Sequence, residues 1–124
     1  MKHCLIVDDS DVVRKVAARI LESMNYVCLE ADTATQALET CRRSMPDLIV
    51  ADSVMPDMSG IELIAALRLD PNGALPMIVY CTAENDSAEI EQALDAGADD
   101  YMVKPFDRFT ISNLLSEAAE RASQ

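Results

Sequence analysis

Long apolar runs are missing from this 124-residue chain. The longest are strand-length, whereas a bilayer span needs about 20 apolar residues. Runs of basic charge are missing as well. The ten Lys and Arg are scattered among 22 Asp and Glu, for a formal net charge of −12. That balance argues against direct nucleic-acid binding and favours partners with basic patches. The four cysteines, Cys4, Cys28, Cys41 and Cys81, have no C-x-x-C spacing and lie inside apolar segments. Buried, reduced thiols are therefore expected rather than a zinc site or disulfide framework. No charged stretch followed by an apolar core and a cleavage site opens the chain, so a cytoplasmic protein is expected. With three Gly, five Pro and no repeat, linker or low-complexity tract, residues 1–124 are expected to form one domain with no output domain.

What is present is an alternation of strand-like and helix-like segments, repeated five times. His3 to Val7 runs into Asp8 and Asp9, and Tyr26 to Glu30 follows. Leu48 to Ala51 ends on Asp52, Met77 to Cys81 on Thr82, and Tyr101 to Val103 on Lys104 and Pro105. After the first strand, Val12, Val13, Val16, Ala17, Ile20, Leu21 and Met24 recur with helical period, and Arg14, Lys15, Arg19 and Glu22 take the opposite face. Asp11 is expected to cap that helix and Asn25 to close it. A second helix runs from Thr33 to about Ser44 through Ala34, Ala37, Leu38 and Cys41. A third opens on the capping box Ser59-Gly60-Ile61-Glu62 and turns Ile61, Ile64 and Leu67 inward. A fourth takes Asp86 as N-cap with Glu89 three residues on, and Gly97 ends it. The last, from about Asp107, aligns Ile111, Leu114, Leu115, Ala118 and Ala122. Strands that do not alternate apolar with polar are buried on both faces. The expectation is an α/β fold, a doubly wound parallel sheet with five helices and strand order 2-1-3-4-5.

In such a sheet all strand C-termini reach one edge, where ligands bind. Asp8, Asp9, Asp52, Thr82 and Lys104 would converge there, equipment for holding a divalent cation and moving a phosphoryl group. Like charges as close as Asp8 and Asp9 destabilise each other unless a cation compensates. A hard, oxygen-liganded ion such as Mg²⁺ suits that pair plus Asp52. Taken singly, Thr82 could be an ordinary β-branched strand residue and Lys104 a solvated charge. Pro105, which fixes the backbone behind a buried strand, argues against casual placement of the lysine.

The motifs Asp8-Asp9, Asp47 to Pro56 followed by Gly60, Thr82-Ala83, Gly97 to Tyr101, and Lys104-Pro105-Phe106 run in order along the whole chain. Together they closely resemble the receiver domain of two-component response regulators, in its single-domain form. The resemblance implies a flavodoxin-like fold and a switch that takes a phosphoryl group from a histidine kinase phosphohistidine. It makes Asp52 the phosphoacceptor. Asp8, Asp9, Asp52 and the backbone carbonyl of Val54 become the Mg²⁺ ligands, Asp8 mainly through water. Lys104 and Thr82 contact phosphoryl oxygens, and Tyr101 is the switch aromatic that turns inward as Thr82 moves. Val54 and Glu84 border the approach of hydrolytic water and would tune the phosphoryl lifetime.

Rival readings fit less well. A phosphatase of the haloacid dehalogenase type needs an acid two residues after its nucleophile, where this chain has Val54. A flavin-binding electron carrier needs a hydroxyl- and Gly-rich loop after the first strand, where acids would repel phosphate. A receiver serving only for interaction would lack part of the site. The expected partners are a sensor histidine kinase or phosphotransfer protein and a downstream protein target, with no membrane. A phosphorelay shuttle and a phosphate sink remain alternatives to a switch. Between Thr82 and Lys104 the chain has seven acids and no Lys or Arg, so that face would repel its own copy and a monomer is expected.

Overall fold

The structure is a computed structural model that describes residues 2–122, with side chains described through residue 120. Ten elements alternate without exception. They are β1 (Lys2–Val7), α1 (Asp11–Glu22), β2 (Tyr26–Ala31), α2 (Ala34–Arg43), β3 (Leu48–Asp52), α3 (Gly60–Leu69), β4 (Met77–Thr82), α4 (Ser87–Ala96), β5 (Asp100–Val103) and α5 (Arg108–Ala122). All neighbouring strands pair in parallel, in the order β2-β1-β3-β4-β5. This is the expected doubly wound sheet.

Two cores lie on its two faces, because successive side chains of a strand point to opposite sides. Leu5, Val7, Ile49, Ala51, Ile78 and Tyr80 pack with residues of α2, α3 and α4. Cys4, Ile6, Leu48, Val50, Val79 and Cys81 pack with Ala17, Ala18 and Leu21 of α1 and Ile111 and Leu114 of α5. The cysteines are free thiols, Cys28 half-buried and the rest buried. Burial pushes the thiols of Cys41 and Cys81 up to about 11 and about 12.

Several local expectations need correction. Ser10, not Asp11, caps α1: its hydroxyl accepts from the Val13 amide at 3.3 Å. The buried face of α1 is Arg14, Ala17, Ala18 and Leu21, while Val12 and Val16 are exposed, Val12 at 73%. Edge strand β2 is buried on one side only, leaving Val27 and Leu29 exposed. Leu63 joins Ile64 and Leu67 in the core, and Ile61 is only half-buried. The side chain of Ala122 lies outside the described residues. The capping box of Ser59 and Glu62, the Asp86 cap and the Gly97 C-cap stand as expected, and Thr33, expected as the first residue of the second helix, is its N-cap. Gly97 holds φ +126°, a conformation that side chains resist.

Candidate functional site

Three strands end at the same edge because their register leaves them level. Val7 pairs with Ala51, and Asp52 pairs with Cys81. Asp8 and Asp9 therefore follow β1 beside Asp52, and Thr82 lies one residue beyond its neighbour. Oxygens of Asp8, Asp9 and Asp52 lie within 4.8 Å of one another; Asp8 and Asp52 are buried and Asp9 is exposed.

From the end of β5, Lys104 reaches into this cluster. Its Nζ lies 2.8 Å from Asp8 Oδ2 and 2.8 Å from Asp52 Oδ1. The Lys104–Pro105 peptide is cis. Like charge among the acids is thus offset within the protein by one ammonium. Burial opposes the Lys104 charge, but the Asp52 and Asp8 carboxylates outweigh it and hold the ammonium above its usual range. Asp52 goes the other way from an ordinary ion-paired acid. Burial, joined by the charge of Asp8, raises it above the usual carboxylate range despite Lys104 and the Ser53 amide.

The loops that carry the acids are tied down. Asp8 Oδ1 accepts from the Ser10 amide at 2.9 Å. Arg14, 8% exposed, donates to the Asp8 carbonyl at 2.6 Å and pairs with Glu30 at 3.1 Å and with Asp11. After β3, Ser53 donates to both Cys81 O at 2.8 Å and Asp52 Oδ1 at 3.0 Å. Val54 is bridged to Ser59 and 70% exposed. Gly60 presses the start of α3 against β3: a Cβ there would stand 2.1 Å from the Asp52 carbonyl oxygen. Asp57 accepts from the Ala34 and Thr35 amides and the Thr35 hydroxyl, tying this loop to α2, and these bonds pull its carboxyl down to about 2.

Thr82 is buried, and its hydroxyl is engaged by Glu89 of α4. Glu84 is exposed and lends Thr82 its amide. Tyr101, paired in register with Tyr80, is 39% exposed. So Asp8, Asp9, Asp52 and Lys104 meet directly and Thr82 stands at the same edge, while Val54 and Glu84 follow the ends of β3 and β4 and Tyr101 lies within β5.

Residues 4–116 match the response regulator receiver domain family. The chain belongs to that family. This receiver is 34% identical over 116 residues to the chemotaxis protein CheY of Halobacterium salinarum, covering 94% of this chain and 95% of that one. It is 41% identical over 105 residues to the phosphate regulon transcriptional regulatory protein PhoB of Pseudomonas aeruginosa. That match covers 85% of this chain but 46% of PhoB, so the chain spans about half the length of that relative. The solved structure of the chemotaxis response regulator CheY4 of Vibrio cholerae superposes with a TM-score of 0.89 at 28% identity, over 94% of this chain and 98% of that one.

Two features of the receiver escape a sequence reading. Arg14 reads as a solvent-side charge by periodicity, yet it braces the Asp8 loop. Glu89 reads as the partner of its N-cap, yet its carboxylate is taken by Tyr80 and Thr82. Only an unpaired hydroxyl at each of two inward positions of β4 could have hinted at such a partner.

Proposed function

We propose that this receiver is a phosphorylation-controlled signalling switch with Asp52 as phosphoacceptor. The observation that carries it is the pairing of Lys104 with both Asp52 and Asp8 inside a three-carboxylate cluster. Asp52 Oδ attacks the phosphorus of a kinase phosphohistidine, an aspartyl phosphate O–P bond forms, and the N–P bond breaks. The histidine nitrogen keeps the electron pair. Asp52, which burial and the charge of Asp8 raise above the ordinary carboxylate range, supplies its carboxylate oxygen as the nucleophile.

The donor set suits Mg²⁺, being all oxygen and net negative. Asp8, Asp9, Asp52 and the Val54 carbonyl would hold it. When bound, the ion supplies charge neutralisation at the phosphoryl oxygens. Lys104, held in place by Asp8, would stabilise the same charge. Thr82 then donates to a phosphoryl oxygen, and Tyr101 turns inward behind it. Contacts that exist only after phosphorylation can bias a two-state equilibrium. The affected surface is α4, β5 and α5. It is acidic along α4, which suits a target with a basic docking helix and a monomeric receiver. The catalysis is confined to the receiver's own phosphorylation and dephosphorylation, in the cytoplasm.

Incubation with acetyl phosphate and Mg²⁺ should add one phosphoryl mass to the wild type and none to Asp52→Ala. An equal adduct on both proteins would contradict the assignment.

A further inference from the structure

Thr82 and Tyr80 lie two residues apart on one face of β4, and a single carboxylate from α4 serves both. The Thr82 hydroxyl lies 3.1 Å from Oε2 and 3.3 Å from Oε1 of Glu89. The phenol of Tyr80, fully buried, donates to Oε1 at 2.6 Å. Burial and then Glu89 raise the Tyr80 hydroxyl well above its usual range, so it remains a donor at every physiological pH. The Thr82 oxygen also accepts from the Glu84 amide at 3.3 Å.

A threonine hydroxyl has one proton to donate. A glutamate carboxylate is an acceptor only, and so is a phosphoryl oxygen. Thr82 can therefore serve Glu89 or a phosphorylated Asp52 but not both. A bond to an ionised acceptor is also among the stronger ones, so giving it up carries a cost.

We propose that Glu89 is a positioning residue that holds Thr82 on α4 in the unmodified protein and makes phosphoryl binding compete with that hold. The proposal rests on the reading of Asp52 as phosphoacceptor and Thr82 as its hydroxyl donor. When Thr82 transfers its bond, Glu89 keeps Tyr80 and loses Thr82. The tie between β4 and the first turn of α4 is then halved at the moment the site is occupied. Glu89 thus opposes activation at rest and passes the event to α4 when it occurs.

The test uses beryllofluoride with Mg²⁺, a non-covalent phosphoryl mimic, on the full chain. Binding is measured for wild type, Glu89→Ala, Thr82→Ala and the double variant, with α4 amides followed by NMR. Releasing Thr82 should tighten beryllofluoride binding by up to about tenfold in Glu89→Ala, the worth of one charge-assisted hydrogen bond. In the Thr82→Ala background the same Glu89 replacement should change nothing. Unmodified Glu89→Ala should also show α4 amide shifts displaced toward those of the beryllofluoride-bound wild type. Glu89→Gln keeps an acceptor for Tyr80 and should show a smaller gain in the same direction, which covers the case in which Glu89→Ala does not fold. Wild-type affinity in both Glu89 variants, or a gain that persists without the Thr82 hydroxyl, would overturn the hold. No beryllofluoride binding by the wild type itself would overturn the phosphoacceptor reading beneath it.

Discussion

Val54 stands at the mouth of the site, two residues past Asp52 and largely exposed. Hydrolysis of an aspartyl phosphate needs a water in line with the bond to phosphorus. Valine is apolar and stiff at χ1, so it can neither orient such a water nor move aside easily. The expected consequence is a long-lived phosphoryl group. Replacing Val54 by Asn, at a position where burial is not at stake, should shorten the lifetime by about tenfold, or about 1.4 kcal/mol of transition-state stabilisation. Phosphate release from purified phosphoprotein measures it, and an equal or longer lifetime in V54N would show that Val54 does not gate the water. Glu84 is exposed at the same rim, and its amide is committed to Thr82.

Elements set how far these residues can drift, and α3 starts directly on the backbone of β3. The Gly60 amide donates to Ser53 O at 2.9 Å, and the missing Cβ lets the helix start sit on the Asp52 backbone. The atoms that a Cβ would meet are backbone, so they cannot swing away. Gly60→Ala should cost about 2 kcal/mol, in the range of overpacked cores, and urea unfolding would read it. An unchanged midpoint would mean that the β3–α3 junction is looser than this packing implies. Periodicity and local motifs made the strands, the helices and the Ser59–Glu62 capping box legible, because those depend on neighbours in sequence. Periodicity misplaced the buried face of α1, since Arg14 turns inward to bind the Asp8 carbonyl and Glu30, partners from two other segments. It read β2 as buried on both sides, since nothing local marks an edge strand. The acids and Lys104 were legible from strand ends alone, whereas the Glu89 contacts join α4 to β4 across the fold.

At the scale of the whole molecule, the site is a charge ledger that the sheet assembles. Strand order 2-1-3-4-5 puts β3 between β1 and β4, so Asp52 sits between the acids of one neighbour and the hydroxyl of the other. Lys104 crosses from the edge strand to close the set. Three carboxylates then compete for one phosphoryl group, and Asp52 alone is expected to take it. The direct measurement is phosphorylation with acetyl phosphate and Mg²⁺, reduction of the acyl phosphate with borohydride, and peptide mapping by mass spectrometry. Reduced aspartate, as homoserine, is expected at position 52 and nowhere else. Reduction at position 8 or 9, or at none of the three, would contradict it.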